Sequence, residues 1–151
     1  MLHDLIIWPK ATGFTETILS DLQSSFGIIA VFTIRWDDDK WYDNISVFYS
    51  KSWQRYSSSK LKQAIHNKVS HCGHGDFILV IFEDNAPEMA FEQTTDGRSL
   101  VNTRVFIKKK ALRNLTGGGH LVHTSNNNSE TDRDLTLLLG KGVDDFLMTC
   151  D

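Results

Sequence analysis

Between Arg113 and Asp134 the chain gathers an arginine, three consecutive glycines, two histidines and a run of hydroxyl and amide side chains. Three glycines in a row carry a large conformational entropy cost and serve where backbone must come close to something else. A helix start follows, and free backbone N–H groups at a helix start bind phosphate or carboxylate. These residues predict an anion site over Gly117 to Asp134, with His123 and His120 as acid or base. Lys110, Arg113, Gly118, Gly119, Ser125, Asn126, Asn128 and Ser129 would hold the substrate, and Glu130 would orient His123 or hold a metal. Lys108 and Lys109 add positive charge just upstream. Glu130 and Asp132 argue against this reading, because acids in the first helical turn already satisfy the helix dipole. The plain alternative is that Ser129 and Asp132 cap the helix, the glycines are a surface connection and the asparagines a turn.

Three other groups of residues could do chemistry. Asp84 follows the apolar run Phe77 to Phe82, and in open α/β sheets ligands sit at the carboxyl ends of strands. A carboxylate there could hold Mg²⁺, although an ordinary polar strand exit accounts for it as well. His71, Cys72 and His74, taken with His120 and His123, could supply zinc ligands, but their spacings are not the common ones. Flanking histidines could also lower the Cys72 pKa. Trp36, Trp41, Trp53 and Tyr56 could stack on a base or sugar, or could simply pack the core.

Two short resemblances can be weighed. His123-Thr124-Ser125 is similar to one half of the His-x-Ser/Thr signature of the two-histidine phosphoesterases. Those enzymes need two copies, and no second copy is present. Arg113 and His120, with Asn114, resemble the arginine–histidine spacing of HEPN-type ribonucleases. That family is all-helical, whereas this chain carries strands. Neither resemblance is adopted.

The elements that must position these residues are legible from periodicity. Leu5 to Trp8 reads as a strand stopped by Pro9. Phe14, Ile18, Leu22 and Phe26 repeat every four residues, which predicts a helix over Thr15 to Phe26 that Gly27 would close with a left-handed cap. Ile28 to Trp36 reads as a strand, and Asp37 to Asp39 as a turn. Trp41 to Trp53 has helical spacing, as does Lys60 to Val69. Phe77 to Phe82 is apolar enough to be buried on both faces. Met89 to Gln93 and Ser99 to Val101, split by Thr95-Asp96-Gly97, predict a hairpin or edge ribbon. Val105 to Leu115 reads as a helix ended by the glycines, His120 to Thr124 as a short strand, and Ser129 to Leu139 as a helix stopped by Gly140. Val143 to Met148 adds a further helical turn. The order favours a single mixed domain over residues 1–151, α/β or α+β, with helices on a central sheet of about four or five mostly buried strands.

Composition narrows the classes. A chain of 151 residues can build its own core. Its longest apolar run, Gly27 to Phe32, is too short to span a bilayer. The start of the chain lacks a basic region and a small-residue cleavage site, which speaks against a signal peptide. Two cysteines are too few for a disulfide framework, so a reducing, cytoplasmic setting is expected. A net charge of -3 argues against a dedicated duplex-DNA binder. Two functions remain. One is an enzyme on a phosphate-bearing substrate such as a nucleotide, by phosphoryl or nucleotidyl transfer or phosphodiester cleavage, with Mg²⁺ or Zn²⁺ as the metal to test. The other is a binding module without catalysis.

Overall fold

The computed structural model describes residues 1–150. Its fold is mixed α/β, built on a four-stranded sheet in the order β2-β3-β1-β6. The strands are β1 (Leu2–Ile7), β2 (Gly27–Ile34), β3 (Phe77–Glu83) and β6 (Val122–Thr124), and every neighbouring pair is antiparallel. β1 is fully buried along its length, and β3 nearly so, because helices cover both faces of the inner strands. β2, at one edge, alternates exposed and half-buried residues instead.

Among the described residues the six α-helices are α1 (Thr15–Gln23), α2 (Trp41–Phe48), α3 (Ser58–Cys72), α4 (Thr103–Leu115), α5 (Asn128–Leu139) and α6 (Val143–Met148). Strand alternation sorts the core into two halves. Leu2, Ile6 and Trp8 point to the face where Trp41, Phe48, Val69, Leu135 and Phe146 pack. Leu5 and Ile7 point to the other face and meet Ile18 and Leu22 of α1 and Val105 and Leu112 of α4. The remaining strands, β4 (Met89–Thr94) and β5 (Gly97–Asn102), form a separate two-stranded ribbon. No helix among the described residues is long and apolar enough to cross a membrane.

Several sequence expectations need correction. β1 starts at Leu2, three residues before the uniformly apolar part of the pattern, because His3 and Asp4 are buried polar members of the strand. α1 ends at Gln23, and Gly27 opens β2 rather than capping the helix; it is absent from the glycines with positive φ. α5 is capped by Asn127, whose Oδ1 accepts from Glu130 N at 3.0 Å, and not by Ser129 with Asp132. Asp132 instead accepts from Val143 N at 2.9 Å, at the start of α6. The sheet has no parallel strands, so the rule placing ligands at strand carboxyl ends has no purchase on Asp84.

The triglycine has a concrete geometric reason. Gly117, Gly118 and Gly119 take φ of 93°, 89° and 72° in succession, a left-handed run that side chains with a Cβ resist. At Gly119 an added Cβ would also stand 2.9 Å from Cε1 of His71. That close approach lets His71 Nε2 accept the backbone N–H of His120 at 3.1 Å. The turn between α4 and β6 is thereby tied to α3.

Candidate functional site

β6 and α5 converge on one buried polar cluster. His123 lies opposite Ile6 in the β1–β6 ladder, so its imidazole shares a face with Ile6 and Asp4. The inner face of α5 brings Thr131, Asp134 and Leu135 onto the same region. His123 Nε2–H donates to Asp134 Oδ2 at 2.8 Å. The other oxygen of Asp134 accepts from Arg133 Nε at 2.9 Å and Nη2 at 2.7 Å. Asp134 is fully buried, while 14% of the His123 side chain remains exposed. Nδ1 of His123 makes no hydrogen bond among the described residues, and it is not among the side-chain atoms sealed from solvent without a partner. The bonded nitrogen fixes the tautomer, and the other keeps its lone pair free.

Burial holds the imidazole below its usual pKa, against the opposing pull of Asp134, so His123 is neutral near pH 7. Burial alone would push the Asp134 carboxyl up; the contacts with His123 and then Arg133 outweigh it and keep the group an anion. A neutral imidazole held from behind by a carboxylate can take a proton from an attacking group or bond the transferring phosphorus itself.

His123 opens into a cavity of about 600 Å³. Five cationic side chains line it (Lys68, Lys109, Lys110, Arg113 and Arg133) against two carboxylates, Asp96 and Glu130. Burial first, then Arg113, lowers Lys109 to about 8, and its Nζ donates to Asn126 Oδ1 at 2.8 Å. Arg113 Nε is anchored on the carbonyl of Val122 at 2.9 Å. Trp53, Tyr56 and Phe106 give the cavity aromatic walls, and the tip of the β4–β5 ribbon, Gln93 to Asp96, closes one side.

The predicted site residues divide clearly. His120, His123, Lys110, Arg113, Asn126 and Glu130 all line this cavity. The two histidines share it because β6 begins only at Val122, leaving His120 in the preceding turn rather than on the opposite strand face. Gly118, Gly119, Asn128 and Ser129 do not line it. Ser125 is fully buried behind it, where its Oγ accepts from Asp4 N at 3.0 Å and Thr131 Oγ1 at 2.8 Å. The α5 N-terminus is not an open anion site either, since Glu130 accepts from Asn126 N at 2.6 Å while Asn127 caps Glu130 N. Asp84 lies elsewhere. It is paired with Arg104, accepts from Asn102 Nδ2 at 2.8 Å, and lines a different hollow with Ser24 and Glu83.

The residues proposed for zinc are not drawn into one cluster. Cys72 is buried, and burial pushes its thiol up to about 11, opposite to the effect expected from its histidine neighbours. His74 stacks on Trp41 with ring centroids 5.5 Å apart. Among the described residues, the atoms of Asp4, His123 and Asp134 do come within 4.8 Å of one another. Both oxygens of Asp134 are already engaged by His123 and Arg133, while neither oxygen of Asp4 has a hydrogen-bond partner.

Sequence reasoning passed over Asp134, Arg133 and Asp4 as site residues. For Asp134 a signal existed: Thr131, Asp134, Leu135 and Leu138 repeat at helical spacing, which puts an acid among core positions. Asp4 sits likewise between Leu2 and Ile6 on one face of a strand. Compared with models of known protein families and with curated proteins, the chain matches none.

Proposed function

We propose that the protein is an enzyme acting on a phosphate-bearing substrate, by phosphoryl or nucleotidyl transfer, with His123 as the reacting group. One observation carries this reading: an imidazole fixed through one nitrogen by a buried carboxylate, its other nitrogen unbonded, lines a cavity where cations outnumber acids. Neutralising phosphate charge in a partly dry site is the largest catalytic contribution such a pocket can make. Lys109, Lys110, Arg113 and Arg133 would bind the phosphates, and His123 Nδ1 would take up the proton of the attacking hydroxyl as its oxygen bonds the phosphorus and the P–O bond to the leaving phosphate breaks, the leaving group departing as an anion among these cations. The aromatic walls at Trp53, Tyr56 and Phe106 suit a nucleoside, since a base stacks on such rings for roughly 1–3 kcal/mol. Mg²⁺ would arrive with the phosphates, as it does where one or two carboxylates and the substrate share its coordination.

The test is a thermal-shift panel of nucleoside mono-, di- and triphosphates with and without Mg²⁺, followed by turnover assays on whichever binds. A ligand at 100 times its Kd adds roughly 2.7 kcal/mol of stability, a shift easily read. No shift with any member of the panel would overturn the reading. Binding with no turnover would reduce the protein to a nucleotide-binding module, the competing class.

A further inference from the structure

Asp4 is the one acid of β1, and it is fully buried. Neither of its oxygens finds a hydrogen-bond donor. A buried carboxylate with no donor is rare, because each unpaired charge in the interior costs several kcal/mol. Asp134, already an anion held by His123 and Arg133, lies within 4.8 Å and makes matters worse. Two carboxyl groups at such range do not both ionise; one keeps a proton.

We propose that Asp4 is held as the neutral acid, its O–H directed at Asp134, and that it is a positioning residue that keeps a single negative charge behind His123. The surroundings support this. From α5, Asp134, Glu130 and Arg133 face the cluster; from β6 and its extension, His123 and Ser125; from α4, Lys109 and Arg113; and from the α2 side, Tyr49. β3 contributes only Ile81 opposite Asp4. Arg133 donates to Asp134, Lys109 to Asn126 and Arg113 to the carbonyl of Val122, and among the described residues none of these cations donates to Asp4. Burial first, and then Asp134, raise the Asp4 carboxyl well above its ordinary range.

The arrangement has a consequence for chemistry. When His123 accepts a proton at Nδ1, the positive charge is matched by one carboxylate and not two. The imidazolium is therefore stabilised enough to form but not so much that His123 stays protonated at rest. This inference rests on His123 being the reacting group, but its test needs no substrate, so its failure is distinguishable from failure of the phosphate reading.

The experiment is a titration of His123 followed by NMR in the wild type and in Asp4→Asn, with the carboxyl carbon of Asp4 followed in the wild type. A neutral Asp4 predicts a carboxyl signal that stays in its protonated state from pH 5 to 7. It also predicts a His123 midpoint that moves by less than about half a unit in D4N, because an amide replaces one neutral donor with another. A carboxyl signal that titrates in the ordinary aspartate range would overturn the proposal even if D4N failed to fold. So would a fall of more than about one unit in the His123 midpoint of D4N, which would mean that the substitution had removed an anion. A stoichiometric Zn²⁺-induced shift of the His123 signals that D4N abolishes would overturn it as well, by making the trio a metal site.

Discussion

Replacing Asp4 by Asn should make the protein more stable at neutral pH, even though the residue is fully buried in an inner strand. Two charge states compete in the folded wild type. An ionised Asp4 would have its oxygen within 4.8 Å of an Asp134 oxygen, a repulsion of at least roughly 3.5 kcal/mol at an effective dielectric of 20. Desolvation adds several kcal/mol for the ion. Keeping the proton on a carboxyl whose ordinary pKa is 3.8 costs about 4.4 kcal/mol at pH 7, from 1.36 kcal/mol per unit. The proton stays, and folding at pH 7 bears up to that penalty. The folded pKa lies above the unfolded one, so the penalty is absent below pH 3.8. It grows as pH rises and levels off once pH passes the folded value. Asn has no proton to retain, but it leaves part of a buried amide unsatisfied, at a cost of about 1–3 kcal/mol. The net gain at pH 7 is about 1–3 kcal/mol, or roughly 2–12 °C in Tm for a chain of this size. Urea unfolding followed by circular dichroism at pH 7.5 and pH 3.5 reads both ends: D4N gains at the first and loses about 1–3 kcal/mol, the cost of the amide alone, at the second. If D4N were destabilised at pH 7.5, and by more than at pH 3.5, Asp4 would be an ionised group with partners, and the charge-state reasoning would fail.

Other outcomes follow from the same geometry. His123→Ala should lower kcat/KM for a phosphate substrate by roughly 10²–10⁴ while leaving nucleotide binding largely intact; unchanged turnover would remove His123 from the reaction. Asp134→Asn should cost a comparable factor, and the double variant little more than either single one, since the two residues act as a unit. Lys109, lowered to about 8, loses its charge as pH rises through that value, so nucleotide affinity measured by calorimetry should weaken between pH 7 and 9 and do so much less in Lys109→Met. Asn127→Ala removes the cap on Glu130 N and should cost about 1 kcal/mol in urea unfolding. Gly119→Ala should cost more than an exposed substitution usually does, because its φ is 72° and the new Cβ meets His71; a neutral effect on stability would show that the turn can relax.

How much of this was legible depended on whether a residue announced itself by its local pattern. β3 and β2 stood out through β-branched and aromatic density, and α5 through its apolar repeat and the Gly140 stop, which does adopt the left-handed cap at φ 73°. The ribbon tip at Thr95 to Gly97 was signalled by turn residues. Glycine, histidine and asparagine between residues 117 and 128 fall where the chain turns back from α4 to β6 and on to α5. The assignment of roles inside it was less reliable, since it treated every polar residue of the segment as open to a ligand. Ser125 shows why that fails: its hydroxyl is consumed in joining β1 to α5. Sequence proximity ranked Ser125 and Ser129 as binders, while the cavity is actually walled by Lys68, Tyr49 and Trp53 from segments far upstream.

Asp4 and Asp134 mark the limit from the other direction. Each is an acid at a position whose neighbours at the same phase are apolar, Leu2 and Ile6 for one, Leu135 and Leu138 for the other. A rule that looks only for apolar periodicity trims such residues from the element and so begins β1 at Leu5 instead of Leu2. Read as physics, the same interruption is informative, because a core position tolerates an acid only where a partner or a proton offsets the cost of burying it. For Asp134 the partners are His123 and Arg133, and their contacts keep it ionised. For Asp4 no partner remains, so the proton must do it. The two acids therefore need each other's charge state to be different, and the strand that supplies one and the helix that supplies the other are joined through the site by that requirement.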